Sequence, residues 1–110
     1  MEVNITRQGN VVIVSAAGRL DSNSSACFEE RLIKVVETEP AIVLDMSGFN
    51  YVSSAGLRIL LMAAKKCKVA NRKLALCGLT PEVHMVFDIS GFLALFSIFA
   101  STSEAVTAMS

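Results

Sequence analysis

Three short apolar runs do most to limit the folds that this chain can adopt. They occupy residues 11–17, 41–46 and 74–78. Each run is nearly continuous rather than alternating, as in strands that are buried on both faces of a parallel sheet. The stretches between them show helical spacing instead, with apolar residues on one face and charged residues on the other. Strands that alternate with helices predict an α/β fold with a largely parallel sheet.

Turn and capping residues place the elements of the first half of the chain. Residues 8–10 contain a glycine between two polar residues and predict a turn that folds residues 2–17 into a hairpin. Asp21 and Ser22 are helix-capping types, so the first helix is expected to start beside them. Pro40 closes that helix region.

Similar signals place the elements of the second half. Residues 47–50 predict a loop, and the next helix is expected to start near Ser54. Thr80, followed by a proline, predicts the start of a third helix. Residues 93–99 predict a last short strand. Residues 101–104 have the pattern of a capping box, which predicts a short final helix.

The chain is expected to form a single domain over residues 1–110, with a mixed, mostly parallel sheet of about five strands and about four helices. Its 110 residues include 10 lysines and arginines and 10 aspartates and glutamates, so the formal net charge is zero. Such a balance favours neither nucleic acid nor an anionic membrane surface as a binding partner.

The sequence predicts a cytoplasmic protein without membrane insertion. The most apolar stretch, residues 89–100, is shorter than a membrane span and is interrupted by serine and glycine. No basic segment followed by an apolar one marks a signal peptide. The cysteines Cys27, Cys67 and Cys77 fit neither a disulfide framework nor a zinc site, so buried, reduced thiols are expected.

The residues needed for catalysis are missing from the sequence. His84, the single histidine, lies in a predicted helix with no nucleophile or orienting group beside it. Ser54 lacks the leading glycine of a hydrolase nucleophile elbow, because Val52 stands at that position. Glycine-rich phosphate loops and metal-ligand spacings are also missing. We therefore expect no enzyme activity, no metal and no cofactor, and a small serine hydrolase is the weakest alternative.

Residues 51–57 have the composition of a strand-to-helix junction with two serines at the junction itself. A helix N-terminus has unpaired N–H groups and a partial positive charge, so it tolerates a phosphate group. Ser54 is therefore predicted to be a switch residue. Strand ends and helix starts gather at one edge of an α/β sheet. Other polar residues are expected near Ser54 for that reason: Asp21, Ser22, Asp45, Ser47, Asn50 and Ser53. A role as a plain helix cap stays open for Asp21, Ser22 and Ser53.

Four motifs, in this order, resemble the STAS domain of bacterial anti-sigma-factor antagonists. They are Gly18-Arg19-Leu20-Asp21, residues 42–47, residues 51–57 and residues 81–91. The first is similar to the family's G-x-L-D signature, and the second to its V-x-L-D-L-S strand. The third is similar to its Y-M-D-S-S/T-G-L phosphorylation loop, and the fourth to its P-x-V-x-x-x-F-x-x-S/T-G-L helix. The resemblance runs nearly end to end and implies a STAS fold.

The resemblance also implies partners. In that family the unphosphorylated antagonist binds an anti-sigma factor, which frees the sigma factor. The anti-sigma factor is a serine kinase that uses ATP to phosphorylate the antagonist, and a PP2C-type phosphatase resets it. By position, Ser54 is the phosphorylated serine and Asp21 the aspartate beside it, while Ala55 and Gly56 complete the loop. Ser53 is an alternative acceptor, but it stands where the family commonly has aspartate, and this match argues against that role.

A second interpretation is a STAS subunit of a larger assembly, such as a transport ATPase or a stress-signalling complex. There the domain would act as a structural partner without catalytic activity, and Ser54 would not need to be modified.

Overall fold

The structure is a computed structural model that describes residues 2–109; the outermost residues of the predicted domain, Met1 and Ser110, lie outside it. In chain order the elements are β1 (Val3–Gln8), β2 (Val11–Ala16), β3 (Gly18–Leu20), α1 (Ser25–Thr38), β4 (Ala41–Asp45), β5 (Phe49–Val52), α2 (Ser54–Val69), β6 (Lys73–Cys77), α3 (Pro81–Ile89), a 3-10 helix (Phe92–Leu95), β7 (Ser97–Phe99) and α4 (Thr102–Met109). Among the described residues, no helix is long and apolar enough to cross a membrane.

The predicted α/β architecture is confirmed. Five strands form one sheet in the order β1-β2-β4-β6-β7. The edge strand β1 runs antiparallel to β2, which confirms the N-terminal hairpin, and the other pairs are parallel. The three apolar runs seen in the sequence are its central strands β2, β4 and β6. Together with the helices they make the predicted mixed, mostly parallel sheet.

Both faces of this sheet are covered by helices, which explains why its central strands are apolar throughout. The connections from β2 to β4, from β4 to β6 and from β6 to β7 each lead to the next strand in the same direction across the sheet. Because such connections are right-handed, the helices α1, α2 and α3 that they contain lie on one face. That face contributes Val12, Leu44 and Leu76 to the larger core cluster. The alternating residues Val11 and Val43 face the other way and pack with α4 in a second cluster.

A second, two-stranded sheet was missed by the sequence analysis. The parallel strands β3 and β5 pair outside the main sheet, so the prediction of a loop at residues 47–50 is wrong from Phe49 onward. These strands have only three and four residues, and their buried and exposed residues do not alternate regularly. Phe49 is buried and its ring meets that of Phe28 on α1 edge-on, with centroids 5.6 Å apart. Tertiary packing of this kind, which the local sequence does not reveal, stabilises β5.

The prediction that Asp21 and Ser22 cap the first helix is wrong. Helix α1 begins at Ser25, and its N-cap residue Ser24 makes no capping hydrogen bond with its side chain. Asp21 closes a turn ahead of the helix, where its carboxylate accepts the N–H groups of Asn23 at 3.0 Å and Ser24 at 3.3 Å. Aspartate commonly bonds the backbone two residues on in this way, so a capping residue type marked a turn here.

The last predicted strand is too long. Of residues 93–99, only Ser97–Phe99 form a strand, while residues 93–95 belong to the 3-10 helix that begins at Phe92. The ring of Phe87 lies 6.4 Å from that of Phe92 and 5.7 Å from that of Phe96, measured between centroids. These ring contacts favour a compact 3-10 turn over an extended strand at this point. An apolar run in the sequence does not reveal such contacts.

Several helix boundaries confirm their sequence signals. The Thr80 hydroxyl accepts the N–H of Val83 at the start of α3. Helix α2 begins at Ser54 and is followed by Asn71 in the left-handed region, with φ of 57°. At α4, the Ser101 hydroxyl accepts the N–H of Glu104, whose carboxylate accepts the N–H of Ala100. The cysteine prediction holds for two buried thiols and is wrong for Cys27, which is exposed.

Candidate functional site at the start of helix α2

The two neighbouring serines at the start of α2 have different environments. The Ser53 hydroxyl accepts the N–H of Gly56 at 3.3 Å and caps the helix, while the Ser53 N–H donates to the Leu20 carbonyl at 2.8 Å. Ser54 is the first helical residue and is exposed, and within residues 2–109 its hydroxyl makes no hydrogen bond. The structure thus gives Ser53 a structural role and leaves Ser54 accessible.

Gly56 fixes the first turn of α2 against β3. It is buried, and a Cβ added there would lie 2.8 Å from Leu20 Cγ and 3.0 Å from the Leu20 carbonyl oxygen. Contacts this short do not occur with real side chains, so only glycine lets the helix approach the strand so closely. The glycine of the 51–57 motif therefore lets the first turn of α2, which includes Ser54, pack directly against β3.

Asp21 reaches the same edge as Ser53. Leu20 of β3 is paired with Val52 of β5, and Asp21 and Ser53 are the next residues on the two strands. The hydrogen bond from the Asn23 N–H is the largest of the effects that lower the pKa of the Asp21 carboxyl below its ordinary value of 3.8. Asp21 is therefore ionised at neutral pH.

Arg19 and Tyr51 share the exposed side of the two-stranded sheet. They are paired in register, and the Arg19 guanidinium carbon lies 4.2 Å from the centroid of the Tyr51 ring. Arg19 Nε also lies 3.6 Å from Asp21 Oδ2. We call the exposed side of this strand pair together with the first turn of α2 the Ser54 surface. Its members are Arg19, Asp21, Tyr51, Ser53 and Ser54.

The sequence analysis did not find Arg19 and Tyr51, although both lie inside motifs that it quoted. The signal that could have found them is their position shortly before Asp21 and Ser54 in the same two motifs. The pairing of β3 with β5, which brings them together, was not predicted.

For the remaining predicted neighbours of Ser54, the structure gives their own hydrogen bonds and exposure. Asp45 ends β4 in the main sheet, and its carboxylate accepts the N–H of Ser47 at 3.0 Å and the Ser47 hydroxyl at 2.7 Å. Both residues line a polar cavity of about 450 Å³ with residues of β1 and β2. Asn50 is exposed and is the extra residue of a bulge in β5. Ser22 is exposed in the turn after β3.

The chemistry available at this site is that of an accessible hydroxyl at a helix start. The N–H groups of Ser54 and Ala55 come before the first turn of intrahelical hydrogen bonds, so they can stabilise added negative charge. His84 is exposed on α3. Within the described part of the chain, no group of three potential ligand side chains is placed to hold a metal ion. The arrangement presents an accessible hydroxyl that can be modified on an exposed surface.

Comparison with known proteins decides the family. The model of the STAS domain matches residues 2–105, which is nearly the whole chain. This chain belongs to the STAS domain family. The motifs at residues 18–21 and 51–57 form the Ser54 surface of this domain.

Similar proteins extend over the same length. BtrV of Bordetella bronchiseptica is 36% identical over 109 residues, covering 98% of this chain and 93% of BtrV. Its name describes it, provisionally, as an anti-sigma factor antagonist. A crystal structure of an anti-sigma factor antagonist from Mycobacterium paratuberculosis superposes with a TM-score of 0.90 at 23% identity, covering 97% of this chain and 92% of the other. Phosphorylated SpoIIAA of Bacillus shares the fold with a TM-score of 0.76 at 15% identity, covering 99% and 100% of the two chains.

Proposed function

We propose that this STAS domain is an anti-sigma-factor antagonist that phosphorylation of Ser54 switches off. The unphosphorylated protein binds an anti-sigma factor in the cytoplasm, and the sigma factor is released. The anti-sigma factor is a serine kinase that transfers phosphate from ATP to Ser54 and then dissociates. A PP2C-type phosphatase removes the phosphate. The observation that carries the proposal is the exposed, unbonded hydroxyl of Ser54 at the start of α2.

The different roles of the two serines support Ser54 as the acceptor. A kinase that modified Ser53 would have to draw its hydroxyl out of the cap that accepts the N–H of Gly56. Loss of such a cap costs about 1 kcal/mol. The Ser54 hydroxyl has no bond to break among residues 2–109. Ser54 can therefore be modified while the helix start keeps its structure.

The proposed switch acts through charge at a fixed surface. A phosphate group adds about −1.5 to −2 charges at neutral pH, and the helix N-terminus stabilises that charge within the domain itself. The neighbouring Asp21 is already an anion because its pKa is lowered. A partner surface built around a neutral hydroxyl would meet two adjacent anions. A loss of about 1.4 kcal/mol would already weaken binding tenfold.

The relatives support the same function. BtrV carries the provisional name of an anti-sigma factor antagonist at 36% identity over nearly the whole of both chains. SpoIIAA is described in a phosphorylated form. An exposed serine at the start of α2 provides this chain with the means for a similar modification.

Substitution of Ser54 tests the proposal. Ser54→Ala cannot be phosphorylated and is expected to retain a partner that has the ATP-binding fold of a serine kinase. Ser54→Asp places a negative charge at the same point and is expected to bind that partner at least about tenfold more weakly. The measurements are co-purification from native cells with mass spectrometry, followed by titration of the purified partner.

A matched control distinguishes the effect of a charge at Ser54 from the effect of a charge elsewhere on the protein. Ser103 is also an exposed serine in the first turn of a helix, but it lies on α4 at the opposite face of the sheet. Ser103→Asp should bind like the wild type. Equal affinity of Ser54→Ala and Ser54→Asp would rule out the switch. An unmodified Ser54 in a stable transporter complex would favour the structural-subunit interpretation instead.

A further inference from the structure

Arg19 is held in a defined orientation on the Ser54 surface. It lies opposite Tyr51 in the strand register, with its guanidinium carbon 4.2 Å from the ring centroid. Its Nε lies 3.6 Å from a carboxylate oxygen of Asp21. An arginine that is already stacked and paired loses less rotamer entropy when a further group binds it. The side chain is therefore arranged for binding before a partner arrives.

The two terminal nitrogens of Arg19 remain available to a partner. Within residues 2–109 they form no hydrogen bond or ion pair, and 61% of the side chain is exposed. They present the planar pair of donors that matches a carboxylate. Tyr51 beside them is 38% exposed. Tyrosine and arginine are the residue types that most often dominate the energy of protein interfaces.

We propose that Arg19 is a specificity-determining residue of the Ser54 surface and binds a carboxylate of the partner protein. The proposal rests on the proposed function, because it names the chemistry that the partner presents at the same surface. A protein fits this surface better than nucleic acid does. The guanidinium stands beside the anionic Asp21, and the chain as a whole carries no net positive charge.

An acidic group on the partner also explains the direction of the switch. A phosphate on Ser54 adds about −1.5 to −2 charges to the same surface that binds that carboxylate. Like charges in one interface weaken binding. A partner that presented lysine or arginine there would instead be held more tightly by the phosphate. Release on phosphorylation therefore follows from a carboxylate at Arg19.

The test compares Arg19→Ala and Arg19→Lys with Arg31→Ala. Arg31 is exposed on α1, outside the Ser54 surface, and its substitution removes the same charge. The probe is the purified kinase-like protein that Ser54→Ala binds and Ser54→Asp does not, titrated at low and at high salt. Arg19→Ala should weaken binding about tenfold or more and reduce its salt dependence. Arg19→Lys should fall between Arg19→Ala and the wild type, and Arg31→Ala should bind like the wild type.

The outcomes separate this inference from the proposed function. A partner that distinguishes the Ser54 variants but binds Arg19→Ala as tightly as the wild type overturns the inference alone. If no partner distinguishes the Ser54 variants, both fail. Thermal unfolding midpoints that match the wild type show that the Arg19 variants are folded. A salt dependence unchanged in a folded Arg19→Ala variant also contradicts a carboxylate at this position.

Discussion

Two serines in sequence, Ser53 and Ser54, show how one residue type takes two roles within one helical turn. The first has an extended backbone, with ψ of 175°, which aims its hydroxyl at the N–H three residues on. The second already has helical geometry, and its side chain points outward into solvent. Capping requires the first geometry and access by an enzyme requires the second. The boundary of the helix, more than the residue type, decides which serine can be modified.

Gly56→Ala is expected to destabilise the domain even though alanine is the better helix former. The added methyl group would meet the backbone and the side-chain branch point of Leu20, which is fully buried. Overpacking of this kind costs about 1 to 3 kcal/mol, and the gain in helix propensity returns about 1 kcal/mol. Urea unfolding should show a net loss of up to about 2 kcal/mol.

Ser54→Ala is the matched control for this prediction, since it changes an exposed residue in the same turn. It should stay within about 0.5 kcal/mol of the wild type. A Gly56→Ala variant as stable as the wild type would show that α2 can move away from β3 at little cost. The fixed placement of Ser54 would then need another explanation.

At the scale of elements, the Ser54 surface depends on the small sheet formed by β3 and β5. Two hydrogen bonds outside its strand register stabilise this sheet: one joins its own two strands, and the other connects it to α3. The Gly18 N–H donates to the Gly48 carbonyl at 2.9 Å, just before β5. From α3, the Thr80 hydroxyl donates to the Phe49 carbonyl at 3.2 Å. Thr80 is thus both the cap of one helix and an anchor for the strand that leads to Ser54.

Thr80→Val should weaken both connections while keeping the shape of the side chain. The loss of a cap and of a hydrogen bond to a buried residue is expected to cost about 1 to 3 kcal/mol. Hydrogen exchange should also become faster in β5, because its carbonyl loses this donor. Urea unfolding and exchange measured by mass spectrometry check the two effects.

Thr38→Val is the control for the Thr80 substitution. The Thr38 hydroxyl donates to the Lys34 carbonyl at the exposed end of α1, where water can replace it. It should change stability by less than about 0.5 kcal/mol and leave exchange in β5 as it was. Unchanged exchange in β5 of Thr80→Val would show that the strand does not depend on α3.

The sequence predicted the elements whose signals are local and strong. The continuous runs of β2, β4 and β6, the hairpin and the cap at Thr80 were all found this way. The short strands β3 and β5 were not, because their stability comes from pairing across 30 residues of chain and from rings such as Phe49 against Phe28. Ser54 could be singled out from its motif alone, whereas the contact of Arg19 with Tyr51 depends on this strand pairing.

At the scale of the whole molecule, the two faces of the main sheet are covered unequally. Three helices cover one face, and α4, with eight residues, covers the other. Two buried cysteines lie on these two sides. Cys67 is on α2, and Cys77 lies under α4, where its sulfur is 3.5 Å from the Thr102 hydroxyl. The reactivity of Cys67 therefore reports on the opening of the larger core, and that of Cys77 on the opening of the core under α4.

Thiol labelling should distinguish these two openings. Burial raises the pKa of both thiols, and they are only 2% and 0% exposed, so neither should react in the folded protein. The exposed Cys27 should be labelled at once. Labelling of Cys67 should be about a thousandfold slower or more, since it requires opening of the core. The rate at Cys77 relative to Cys67 measures how readily α4 detaches.

Mass spectrometry of labelled peptides over time, with a fully unfolded sample in urea as the control, provides the measurement. All three cysteines should react alike in that control. Rapid labelling of Cys67 in the native protein would contradict a closed larger core. Rapid labelling of Cys77 alone would show that α4 is detached for much of the time.

The order of strands across the main sheet follows their order along the chain. Each strand of this sheet pairs with the sheet strand that precedes it in the chain, and none is inserted between two others. A chain that folds as it leaves the ribosome begins with its N-terminal part. Each new strand therefore finds its neighbour already formed, beginning with the hairpin. The face carrying Val11, Ile13 and Val43 stays open until α4 is made, so the nascent protein exposes an apolar surface until that helix has emerged and packed.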